Sequence, residues 1–161
     1  MADSRDKETK ILVVGGGFGG LEFCRRFRHP NTRIQLVDTK NHHLFQPLLY
    51  QVATSGLSGP QIAQPLRGIF RKRPDVETYL DEIREISLEG KRAVGAHHAY
   101  EFDYLVLAAG ARTSFFGNDH WGEHVHGLKT LADAVDLRGH VLRALERADR
   151  QEHHQERGRL M

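Results

Sequence analysis

Apolar positions along this chain keep two rhythms, and each change of rhythm marks a change of expected element. Ile11, Leu12, Val13 and Val14 form an unbroken apolar run, as in a strand buried on both faces. Residues 21–28 take helical spacing, and residues 33–37 (RIQLV) return to a strand that ends at Asp38. The stretch 39–53, TKNHHLFQPLLYQVA, fits neither a strand nor a helix, since Pro47 interrupts any regular element. It reads as a polar and aromatic loop, followed by flexible punctuation at 54–60. A short helix is expected from near Pro65 to Arg71, with Leu66, Ile69 and Phe70 inward. Residues 76–80, 82–86 and 93–99 then alternate as short strands, with Glu89-Gly90-Lys91 as a turn. They predict a small antiparallel meander at about 76–99. A second continuous apolar run, Tyr104-Leu105-Val106-Leu107-Ala108-Ala109, predicts a central parallel strand whose carboxyl end opens on a ligand crevice. Beyond a glycine-punctuated loop, Thr130 opens a helix with a capping-box-like start and apolar positions at Leu131, Ala134, Val135, Leu142 and Leu145. Residues 1–9 read as a flexible arm and 150–161 as a polar tail, leaving 10–149 as one domain.

The glycines that close the first run give it its chemistry. They fall as Gly15-x-Gly17-x-x-Gly20, between the expected strand and the expected helix. Gly15 allows the tight turn, Gly17 lets backbone approach a pyrophosphate, and Gly20 lets the helix pack close to the sheet. First-turn N–H groups then face the phosphates, and the macrodipole adds about 0.3–1 kcal/mol of attraction. Asp38 stands about 20 residues further on, where a carboxylate accepts bonds from ribose hydroxyls and repels a 2′-phosphate. Strand, glycines, helix, strand and acid in that order predict a dinucleotide site.

Composition narrows the rest. The chain has 161 residues, 39% hydrophobic and 27% charged, which suits one soluble globular domain. A formal charge of +2, with Arg and Lys scattered, speaks against a nucleic-acid partner. No apolar run approaches the length of a membrane span and the polar start is not a secretory signal, so a cytoplasmic protein is expected. Cys24 is the one cysteine, which excludes an intramolecular disulfide, and its place after Gly20 suits packing. His120, His124 and His126 lie in a glycine-broken loop, apart from His97 and His98, without a cysteine or carboxylate set, so no metal site is expected.

With the three glycines, Asp38, FQPLLYQVA at 45–53 and LVLAAG at 105–110 in place, the stretch from about 10 to about 149 resembles a known family. It is similar to the N-terminal part of type II, single-subunit NADH:quinone oxidoreductases, flavoproteins with two dinucleotide-binding domains. The fold so implied is an α/β, incomplete Rossmann-like doubly wound FAD-binding domain with the antiparallel β-meander inserted. The resemblance implies FAD in an extended pose, with Gly15, Gly17, Phe18, Gly19 and Gly20 at the pyrophosphate and Asp38 and Thr39 at the adenosine ribose. It places the main chain of Ile83 at the adenine, Ala109 and Gly110 along the ribityl–pyrophosphate stretch, and Gln46 and Pro47 toward the flavin. It implies an enzyme in which NADH gives a hydride to the flavin and two electrons pass to a quinone, with no catalytic side chain needed. Members of that family are longer, with a second glycine motif for NADH and a C-terminal amphipathic region that docks peripherally on the cytoplasmic face of the membrane. The resemblance therefore implies a truncated, frameshifted or cropped fragment, inactive alone, and leaves its oligomeric state open. Two alternatives stand beside it. Sulfide:quinone oxidoreductases and disulfide reductases share the scaffold but need a redox-active cysteine pair. A non-catalytic module would bind NAD and be colourless.

Overall fold

The computed structural model describes residues 8–150. Apart from Glu8, Thr9 and Arg150, the expected arm and tail lie outside these residues. In chain order the elements are β1 (Thr9–Val14), α1 (Phe18–Arg26), β2 (Thr32–Asp38), β3 (His42–Leu44), a 3-10 turn (Gln46–Leu48), α2 (Leu49–Ala53), α3 (Gly59–Ile62), β4 (Ala63–Pro65) and α4 (Leu66–Ile69). There follow β5 (Val76–Leu80), β6 (Ile83–Ser87), β7 (Arg92–Gly95), β8 (Ala99–Glu101), β9 (Tyr104–Leu107), a 3-10 turn (Asp119–Glu123) and α5 (Leu131–Asp149). They form two compact units. Of the described residues, one takes 8–43 and 64–111; the other takes 44–63 and 112–150.

The first unit is built on a parallel sheet of order β5-β2-β1-β9. The unbroken run of β1 is what a strand in mid-sheet requires. Ile11 and Val13 point to one face, where they meet Leu21 and Cys24 of α1, Ile34 and Leu36 of β2, and Leu66 and Phe70. Leu12 points to the other and packs with Val37, Ala93, Tyr100 and Phe102. Each such side chain contributes about 1.5–3 kcal/mol relative to exposure, so a one-residue slip of β1 would lose both faces at once. Helices α1 and α4 thus cover one face. The other is covered by the antiparallel sheet β6-β7-β8, in the layer where a doubly wound fold has helices.

Several expectations are corrected here. Residues 76–80 are not part of the meander: β5 pairs in parallel with β2, and the meander runs from β6 to β8. The expected strand at 93–99 is two strands with a turn between them. A short alternating run fixes which residues face inward but not which neighbour the strand will take. The second apolar run, expected at the centre of the sheet, lies at its edge among the described residues, with Tyr104 and Leu107 each 66% exposed. Helix α1 starts at Phe18, three residues before the expected start.

The expected loop at 39–53 contains β3, and in the second unit it continues as the 3-10 turn and α2. Pro47 sits in the first turn, where its missing N–H costs nothing. Leu49, Val52, Ala53, Ile62 and Ala134 form this unit's core. Helix α5 begins with the expected capping box, Asp133 N–H donating to Thr130 Oγ1 at 3.1 Å and Thr130 N–H to Asp133 Oδ2 at 2.8 Å. Of its expected apolar stripe, Ala134 is buried while Val135, Leu142 and Leu145 are exposed. No helix of the described residues is long and apolar enough to cross a membrane.

Candidate functional site

Strand β1 delivers Gly15 to the carboxyl edge of the sheet at φ +106°, and a Cβ there would run into the Ala108 carbonyl. At Gly20 a Cβ would strike the Gly15 carbonyl, so α1 approaches the strand only because that residue is glycine. Gly17 is different. It caps α1 at an ordinary φ of −69°, and a Cβ on it would meet no protein atom within 4 Å. Internal packing therefore requires glycine at 15 and 20 but not at 17. The first-turn N–H groups of a helix have no partner within it, so bare backbone at Gly17 makes a cradle for an anion. Phe18 lies edge-on to His43, with ring centroids 5.0 Å apart, and Gly19 faces Ala108.

Gly16, the middle residue of the turn, is held from several sides. Its N–H donates to Asp38 Oδ2 at 2.5 Å, and its carbonyl lies 3.0 Å from Nδ1 of the buried His43. A Cβ at Gly16 would come within 2.8 Å of Leu66 Cδ1. Asp38 is half-buried at the end of β2, and its Oδ1 accepts the Lys40 N–H at 2.7 Å, with the Thr39 hydroxyl at 3.5 Å. A carboxylate has about four acceptor sites and these bonds take three, so capacity remains for a ribose hydroxyl.

The next strand over ends in a second acid. Asp81 is buried and accepts bonds from Tyr100 Oη–H (2.8 Å) and from the N–H groups of Glu82 (2.8 Å), His97 (3.1 Å) and His98 (3.0 Å). Burial alone would raise its pKa, but these donors outweigh burial and hold the carboxyl well below the usual carboxylate range. Tyr100 is pushed up, by burial first and then by its bond to Asp81. A Cβ on Gly95 would collide with the same carboxylate. This knot fixes the β5–β6 connection and so places Ile83, which packs on the Leu12–Val37–Tyr100 core. The Asp81 N–H in turn donates to the Asp38 carbonyl at 3.0 Å.

Beyond β9, Ala108 N–H donates to Val14 at 2.8 Å, which sets Ala109 beside Gly15, and Gly110 follows at φ +76°. The structure thus brings Gly15, Gly17, Phe18, Gly19, Gly20, Asp38, Thr39, Ala109 and Gly110 to one edge of the sheet, with Ile83 tied in through Asp81. Gln46 and Pro47 belong to the second unit, where Gln46 Nε2 donates to the Lys129 carbonyl at 3.2 Å. Sequence reasoning missed the parts played by Gly16, His43 and Asp81. Asp81 had a signal, an acid at the end of a strand as at Asp38; His43 had none, since its partner lies 27 positions away. Cys24 is buried against the sheet, and burial pushes its thiol up to about 12, so it stays protonated at neutral pH. Among the described residues no group of three or more His, Cys, Asp or Glu could hold a metal ion.

Residues 9–153 match the family described as pyridine nucleotide-disulphide oxidoreductase. The chain is 40% identical to the type II NADH:quinone oxidoreductase Ndh of Mycobacterium tuberculosis, over 96% of the chain and 34% of that protein. It is 30% identical to the mitochondrial external alternative NAD(P)H-ubiquinone oxidoreductase B4 of Arabidopsis thaliana, over 88% of the chain and 26% of that protein. It therefore spans about a third of the length of the curated relatives it matches. Among solved structures, NDH2 of Plasmodium falciparum in complex with NADH shares the fold, with a TM-score of 0.82 at 23% identity, over 94% of the chain and 32% of that structure.

Proposed function

The chain belongs to the pyridine nucleotide-disulphide oxidoreductase family, and we propose that it is the FAD-holding part of a type II NADH:quinone oxidoreductase. The observation that carries this reading is the contrast among the glycines: the fold itself needs Gly15 and Gly20 bare, whereas bareness at Gly17 serves something outside the chain. A pyrophosphate at the start of α1 would use it. Asp38 fits beside that group, with acceptor capacity left for a hydroxyl of an unphosphorylated ribose. The Ile83 main chain would lie at the adenine, and Ala109 and Gly110 along the ribityl–pyrophosphate stretch. FAD is preferred to NAD on the LVLAAG run and the FQPLLYQVA segment, which the resemblance to this family rests on. The chemistry FAD supplies when bound is acceptance of a hydride from NADH and release of two electrons to a quinone. This chain's residues bind and orient it; the Cys24 thiol, buried and protonated, takes no part in disulfide chemistry. NADH, the quinone and peripheral attachment at the cytoplasmic face of a membrane belong to the same reading of the whole protein.

Titration of the purified chain with FAD, followed by quenching of flavin fluorescence, tests the reading. Binding is expected for the native chain. Gly17→Val should abolish it while the far-UV spectrum and melting temperature of the unliganded protein stay unchanged. Equal FAD binding by Gly17→Val would sink the pyrophosphate assignment.

A further inference from the structure

The contacts around Gly16 carry a second assignment, which rests on the proposed pyrophosphate site and deepens it. The His43 ring is buried in β3, with Nδ1 3.0 Å from the Gly16 carbonyl and Phe18 packed edge-on against it. A carbonyl only accepts, so Nδ1 must carry the proton. In a trans peptide the carbonyl and the following N–H point in opposite directions. Holding the Gly16 carbonyl toward His43 therefore turns the Gly17 N–H away from it. The other end of Gly16 is fixed too, because its N–H is spent on Asp38 Oδ2.

We propose that His43 is a positioning residue for the dinucleotide: its Nδ1–H holds the Gly16–Gly17 peptide in the one orientation that aims the Gly17 N–H at an anionic phosphate. A glycine-rich turn left to itself can rotate that peptide at little cost. The histidine supplies the preorganisation that the glycines lack, and its ring also braces Phe18 from behind.

Two measurements test this on the 161-residue chain. The first needs no ligand. Ring ¹⁵N NMR of the histidine-labelled protein, with His43 assigned by the signal lost in His43→Asn, should show a protonated Nδ1; a bare Nδ1 overturns the proposal. The second uses FAD as the probe. His43→Leu fills the space without a donor and should weaken FAD binding about tenfold, the scale of one hydrogen bond. His43→Asn places an amide N–H near the Nδ1 position and should restore most of that loss. Unequal binding by these variants with equal melting temperatures is the pattern expected of positioning. Should both bind FAD as the native chain does while Gly17→Val does not, the role of His43 is wrong and the pyrophosphate site stands. If Gly17→Val also binds normally, or the native chain binds no FAD, both readings fall together. Leucine and asparagine variants that are equally impaired would show a packing role and overturn the proposal.

Discussion

Asp38 is the last residue of one parallel strand and Asp81 directly follows another, yet their carboxylates do different work. Asp38 is half-buried and keeps acceptor capacity for a ligand, whereas Asp81 is surrounded by donors from its own chain. Because the folded pKa of Asp81 lies below the ordinary 3.8, the carboxylate stabilises the fold above that value, and this contribution is lost as pH falls through the folded pKa. Asp81→Asn should therefore lower the urea midpoint at pH 7, and the gap from the native chain should narrow as pH drops below about 4. A gap that stays constant from pH 7 to pH 3 would mean that the charge is not what the meander depends on. The sequence makes Asp38 legible, through its distance from the glycines. Asp81 carries a similar signal at the end of a strand, but its role stays hidden, because the Tyr100 hydroxyl and the His97 and His98 amides converge on it from across a turn.

Helix α1 owes its position to both of its ends. At the start, Gly20 rests on the Gly15 carbonyl, so Gly20→Val should leave the chain unfolded or aggregated, in contrast to Gly17→Val. Comparing the two by circular dichroism separates a glycine kept for packing from one kept for a ligand. At the far end, Arg73 donates to the carbonyls of Cys24 (2.6 Å) and Phe27 (3.1 Å) and pairs with Asp75. The Asp75 hydrogen bond is the first cause of the raised Arg73 pKa, and the same bond lowers that of Asp75. Arg73→Met keeps the stem but strips the last turn of its donors. It should cost about 1.5–3 kcal/mol in urea unfolding; a loss below about 0.5 kcal/mol would show that water caps the helix as well. The apolar spacing of α1 was readable in advance. Its capping arginine, 49 positions beyond Cys24, was not.

At the scale of the whole molecule, a ligand that binds only the folded chain must raise its stability. FAD at a hundredfold excess over its dissociation constant adds about 2.7 kcal/mol. For a chain of this size that is about 5–10 °C in melting temperature. The native chain should show that shift with FAD and not with riboflavin, which lacks the pyrophosphate, and Gly17→Val should show neither. An equal shift with riboflavin would place the recognition away from the glycine turn. The sequence alone determined the β1 strand, the glycine turn, the start of α5 and the acid after β2, because each depends on residues close together along the chain. It also carried the family, since FQPLLYQVA and LVLAAG are specific as strings whatever shape they take. Tertiary structure alone decided that β5 joins the parallel sheet, that β9 lies at an edge of it among the described residues, and that residues 46–53 wind into a turn and a helix. It also decided that Gly16 is gripped by His43 and Asp38. An apolar pattern states how much of a segment must be buried. Only the packed chain supplies the partner that buries it, and a hydrogen bond between distant residues exists only once the fold has brought them within reach.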